Sequence, residues 1–111
     1  MDVINHEALL ELKEVMEDDF ALLIETFLTD APERIDELKK IASNSGTPAD
    51  MEKPAHTLKG SSSNIGAMKL SAACAVLVDQ IRAGAVADPK ASIAEIEAEL
   101  EVAKNALLTY L

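Results

Sequence analysis

Two stretches of this chain place apolar or small residues in steps of three and four. One is Met51, Ala55, Leu58, Ser62 and Ile65, and the other is Ile93, Ile96, Leu100, Ala103 and Leu107. That period is the narrow seam of an α-helix packed in a bundle. The alternation of β-branched and polar residues that a half-buried strand needs appears nowhere, and only 4 Gly and 4 Pro punctuate the 111 residues. The chain therefore reads as all-α. Its 49% hydrophobic residues supply enough apolar surface for one core, even against a formal net charge of −10.

Local signals divide the helices. Asn5 caps a short helix carrying Leu9, Leu12 and Met16. Asp18 or Asp19 opens a second with Phe20, Ile24, Phe27, Ala31, Leu38 and Ile41 on its apolar face. Pro32 falls inside that pattern and predicts a kink, unless a new turn starts there under an Asp30 cap. Ser43 to Gly46 ends the helix. In Thr47-Pro48-Ala49-Asp50, threonine stands at the cap and proline at the first helical position, so a third helix is expected to start there and Gly66 to close or bend it. A fourth carries Leu70, Leu77 and Ile81 and stops at Gly84, and Asp88-Pro89 opens the fifth. Short connections make neighbouring helices antiparallel. The expected architecture is an up-down-up-down four-helix bundle with a short additional N-terminal helix across one end, one domain over residues 1–111.

Composition excludes several functions. Ten Lys+Arg against 20 Asp+Glu, with 3% aromatic residues, offer neither the basic patch nor the stacking rings that nucleic acid demands. The longest apolar run, Ala72 to Val78, falls far short of the roughly 18–20 residues of a membrane span. The opening Met-Asp-Val-Ile-Asn has no basic segment before an apolar one, so a cytoplasmic location is expected. Cys74, the one cysteine, reads as a buried reduced thiol. No phosphate-cradling glycine loop provides a means of using ATP. Glu52 and His56, four apart, make a poor metal site in a chain with 2 histidines, and Ser61 to Ser63 have no second histidine to activate them.

One segment departs from plain bundle sequence. From Ala55 to Ala67 it reads Ala-His-Thr-Leu-Lys-Gly-Ser-Ser-Ser-Asn-Ile-Gly-Ala, which puts His56, Lys59 and Gly60 on one helix face with Ser63 beyond. His56 lies about 100° round from the seam position Ala55 and should reach solvent. Glycine costs up to about 1 kcal/mol in a helix interior, so Gly60 points to close approach by something outside. Residues 1–50 hold 4 basic and 13 acidic groups, residues 51–84 hold 4 and 2, and residues 85–111 hold 2 and 5. The one net-positive stretch surrounds the histidine, a setting that tolerates an added dianion. A neutral imidazole attacks phosphorus without a separate base, and an ammonium one turn away offsets charge on the transferred group. Periodicity and charge leave two readings open: a phosphoryl acceptor, or a histidine on an ordinary polar face.

This segment resembles the signature of the histidine-containing phosphotransfer (HPt) domain, in which lysine and glycine follow the histidine at +3 and +4 and another glycine follows at +10. Upstream, Phe27-Leu28 followed by Pro32, Ile35 and Leu38 resembles the family's preceding helix, and the length suits one stand-alone bacterial HPt domain. The resemblance implies His56 as phospho-acceptor through Nε2, Lys59 against the phosphate charge and Gly60 as steric access. Ser61, Ser63 and Gly66 match the motif without an assigned role, Ser62 being a small seam residue. Many relatives carry a glutamine 22 positions after the histidine that bonds the ring; here that position is Val78, with Gln80 two further on. Pro54 leaves the Asp50 carbonyl without its helical donor and predicts a bend near the site.

The family's activity is relay rather than catalysis. A phosphoryl group would arrive from the receiver domain of a hybrid sensor histidine kinase and leave to a response regulator. This chain would act as a monomer and hold no cofactor or metal of its own, Mg²⁺ belonging to the partner receiver. The rival reading is a helical adaptor that binds a receiver or kinase and is never phosphorylated.

Overall fold

The structure, a computed structural model, describes residues 2–43 and 46–111. Five α-helices follow one another: α1 (His6–Met16), α2 (Asp19–Ser43), α3 (Glu52–Asn64), α4 (Met68–Arg82) and α5 (Pro89–Leu108). Among the described residues the sole β-type pairing is an isolated bridge between Ile4 and Ala67. Helices α2 to α5 pack in sequence and close α5 back onto α2, giving the expected up-down-up-down bundle. No helix of the described residues is long and apolar enough to cross a membrane.

The seams predicted from spacing are the core. Met51, Ala55, Leu58, Ser62 and Ile65 are buried, as are Ile93, Ile96, Leu100, Ala103 and Leu107, and α2 adds Phe20, Ile24, Phe27, Ala31, Ile35 and Leu38. Truncating a fully enclosed member such as Leu58 to alanine would cost about 2–5 kcal/mol, because the cavity left behind collapses only in part. Cys74 is sealed in this core, and burial pushes its thiol up to about 12.

Caps fall where local chemistry placed them. The Asn5 side chain accepts from Ala8 N at 3.1 Å and Asp88 from Ala91 N at 3.1 Å. α3 and α4 end in the same motif. Gly66 N donates to Ser63 O and Ala67 N to Ser62 O, and Gly84 N donates to Ile81 O and Ala85 N to Gln80 O. Both glycines sit in the left-handed region, φ 79° and 67°, which the motif requires and a side chain resists.

One expectation needs correction, and one alternative falls away. α2 continues as a single helix through Pro32, which lies exposed on its outer side, so no new turn starts at Asp30. Its end at Ser43 is as expected, while Asn44 and Ser45 of the expected stop lie outside the described residues. The third α-helix starts not at Thr47-Pro48 but at Glu52, after a 3₁₀ turn, Pro48–Met51. That turn is opened by Thr47, whose N–H and hydroxyl both donate to the Asp50 carboxylate. Pro54 explains the change: without an N–H it cannot close an α-type bond to Asp50. Once α3 begins at Glu52, however, Pro54 lies in the first turn, where no such donor is needed. The predicted bend at the site is thereby unnecessary.

Candidate functional site

α3 presents opposite faces to core and solvent. Ala55, Leu58 and Ser62 point inward, and the Ser62 hydroxyl is absorbed by donating to Leu58 O at 2.6 Å. His56, Gly60 and Ser63 are exposed on the outer face, with Lys59 half-buried beside them. Among the described residues no carboxylate pairs with Lys59. The exposed turn thus offers a ring nitrogen and an uncommitted ammonium on neighbouring positions.

Gly60 is not required by anything inside the protein. A Cβ built on it would meet no atom within 4 Å, and its backbone is ordinary helix. Gly66 differs. It is buried, has φ 79°, and a Cβ there would lie 3.4 Å from Asn5 O; its own carbonyl accepts Asn5 N at 2.8 Å. Ser61 is half-buried and bonds back to Leu58 O at 3.2 Å, whereas Ser63 offers its carbonyl to Gly66 N and leaves its side chain in solvent.

Two contacts fix the register of α4 against this helix. Ser71 Oγ donates to Lys59 O at 3.2 Å, and Arg82 Nε donates to Glu52 Oε1 at 2.6 Å. Ser71, Ala75, Val78 and Arg82 form one stripe of α4 at i, i+4, i+7 and i+11. His56 lies between the two ties, so the α4 positions across from it are Ala75 and Val78, neither of which has a side-chain donor or acceptor. Val78 is fully buried, and Gln80, about 200° further round the helix, faces elsewhere. Among the described residues no hydrogen bond orients the His56 ring. The Arg82 tie also engages Glu52, the carboxylate considered with His56 as a metal pair.

Sequence reasoning missed the surroundings. A groove of about 420 Å³ opens between α1, α2 and the end of α3. Leu12 and Met16 form one wall, Leu23 and Phe27 the other, with Ile65 beneath. Asn64 stands on its rim and continues the His56–Gly60 stripe at i+8, about 12 Å along the helix axis. The half-buried Leu12 and Met16 were a signal, since they complete a seam that no single partner helix covers. His6, in the first turn of α1, bonds through Nδ1 with the Tyr110 hydroxyl, 104 residues away.

The Hpt domain model matches residues 22–106. The crystal structure of histidine-containing phosphotransfer protein B from Pseudomonas aeruginosa PAO1 superposes with a TM-score of 0.90 at 31% identity, covering 97% of this chain and 93% of that one. A putative histidine-containing phosphotransfer protein from rice shares the fold at TM-score 0.84 and 18% identity, over 96% of this chain and 78% of that one. No curated protein matches the sequence at a significant level. The chain belongs to the Hpt domain family. It is a histidine-containing phosphotransfer protein of a phosphorelay, a phosphocarrier rather than an enzyme, and the partners of such domains are receiver domains.

Proposed function

We propose that His56 carries the phosphoryl group, taking it from the aspartate of a hybrid sensor kinase's receiver and passing it to a response regulator, with the whole chain acting as one module. The ring nitrogen attacks phosphorus, a P–N bond forms as the P–O bond to the aspartate breaks, and the electron pair leaves on the carboxylate; the second transfer reverses these roles. Lys59 offsets the dianion's charge from one turn away. Gly60 keeps α3 low enough for the partner's aspartyl phosphate to reach the ring. Ser61 and Ser63 serve as small neighbours rather than phosphate ligands, since Ser61 is committed to Leu58 O, and Gly66 serves the helix end.

The observation that carries this reading is the open space at Gly60. Alanine would fit there and would stabilise the helix by up to about 1 kcal/mol. A glycine kept against that preference, one turn from an exposed imidazole, supports a role for a body outside the fold. Incubation with a phosphorylated receiver tests it. The expected label is acid-labile, base-stable and absent in His56→Gln, with the melting temperature unchanged. Receiver binding that survives this substitution, with no label on the native chain, would establish the adaptor instead.

A further inference from the structure

The groove beside the site has one wall that is weakly built. α1 buries only Leu9 completely, and Leu12 and Met16 are half-covered where they face the groove. At its start the chain is held by two backbone bonds, Asn5 N donating to Gly66 O at 2.8 Å and Met68 N to Val3 O at 2.9 Å, with the half-buried Ile4 packed against the core. Along its length, among the described residues, the polar side-chain ties to the rest of the fold come from a single residue past the end of α5. The Tyr110 hydroxyl bonds His6 Nδ1, and the Tyr110 carbonyl accepts Lys13 Nζ at 3.0 Å. The two rings also lie against each other, centroids 5.5 Å apart and tilted by 49°.

At about 100° per residue, His6 and Lys13 share one flank of α1, about 20° apart, and Leu12 and Met16 share another. Leu9 projects into the core between the two flanks. α1 is therefore a rod resting on one fully buried side chain, Leu9, and two half-buried ones, Leu12 and Met16, with Tyr110 gripping one flank and the groove opening on the other. The grip sets how far the rod can roll, and roll moves Leu12 and Met16 relative to Leu23 and Phe27.

The groove's own chemistry describes its occupant. It is apolar inside with Asp30 on its rim, exposed Val15 and Leu22 stand near the α1–α2 junction, and Glu25 and Glu33 line a neighbouring hollow on α2 that shares Asp30 with it. One guanidinium, Arg34, lies among Asp30, Glu33 and Glu37, so this edge stays negative. A receiver element with an apolar ridge flanked by Lys or Arg complements both features.

We propose that Tyr110 is a positioning residue for partner docking: by fixing the roll of α1 from the α5 side, it sets the wall of the groove in which a receiver with that basic-flanked apolar ridge seats. This rests on the phosphocarrier reading, and the test keeps the two apart. Tyr110→Phe removes the hydroxyl tie and leaves the carbonyl. The probe is whichever receiver domain of the source organism binds the unphosphorylated native protein most tightly by titration calorimetry.

The expected result is a Kd, and a KM for transfer, raised about two- to tenfold, the worth of one hydrogen bond. kcat and labelling of His56 by phosphoramidate, a small donor that needs no docking, should stay unchanged. Methyl resonances of Leu12 and Met16 should move while the His56 ring resonances do not, and His6→Ala should reproduce the effect without adding to that of Tyr110→Phe. Unchanged Kd and methyl shifts would overturn the proposal, and so would a loss of phosphoramidate labelling that tracks a general loss of helicity. If the native protein is never labelled by either donor, the phosphocarrier reading fails, and the Kd and methyl shifts still decide the role of Tyr110.

Discussion

Gly60 and Gly66 stand six residues apart in one motif, and the structure asks for them in opposite ways. Gly66 is demanded from within: it turns the chain at φ 79° out of α3 and lets Asn5 approach its carbonyl. Gly60 sits in ordinary helix with open space where a side chain would go. The lesson concerns the source of a constraint. An inward glycine is explained by backbone geometry, and an outward one by something that is not part of the chain. The outward residues His56, Lys59 and Gly60 should therefore tolerate substitution for folding and fail for transfer, and the inward residues Leu58, Ser62, Ile65 and Gly66 should do the reverse.

The sharpest way to break this contrast is Gly60→Leu, which fills the approach path. Receiver-dependent labelling should fall by ~100-fold or more, because a docked phosphate displaced by an ångström no longer meets the ring in line, while phosphoramidate labelling holds and the melting temperature does not fall. Lys59→Ala comes next. Losing a charge-assisted contact to the transferred group should slow transfer by about 10- to 100-fold, as read from single-turnover rates at low salt. Gly66→Ala should lower stability by about 1–2 kcal/mol in denaturant titration, the penalty of a left-handed alanine, with the transfer rate of the folded fraction preserved. The smallest effect belongs to Gly60→Ala, which should raise stability by up to about 1 kcal/mol. If it lowers stability instead, Gly60 has an internal role and the contrast fails.

What the sequence made legible was local. The seams at Met51–Ile65 and Ile93–Leu107, the Asn5 and Asp88 caps and the stop at Gly84 depend on neighbours within a turn or two, and each is found in the structure. The outward position of His56 followed from the same periodicity. The start of α3 was misplaced because Thr47-Pro48 opens a 3₁₀ turn as readily as an α-helix, and Pro54, six residues on, decides between them. Pro32 was read as a kink or a new start, and α2 continues through it with the ring on the exposed side. Tyr110 meeting His6, and Leu12 facing Phe27 across a groove, depend on how helices distant in sequence come together, and no local pattern encodes that.

The sealed thiol at Cys74 has a practical corollary. With the group pushed up to about 12 and no surface exposed, only about one molecule in ten thousand would carry a thiolate there at pH 8, and reagents could not reach it. Maleimides should leave the native protein untouched, so a single cysteine introduced at Ser63 becomes a unique attachment point for a fluorophore on the His56 face. Its emission would report the arrival and departure of a receiver in real time.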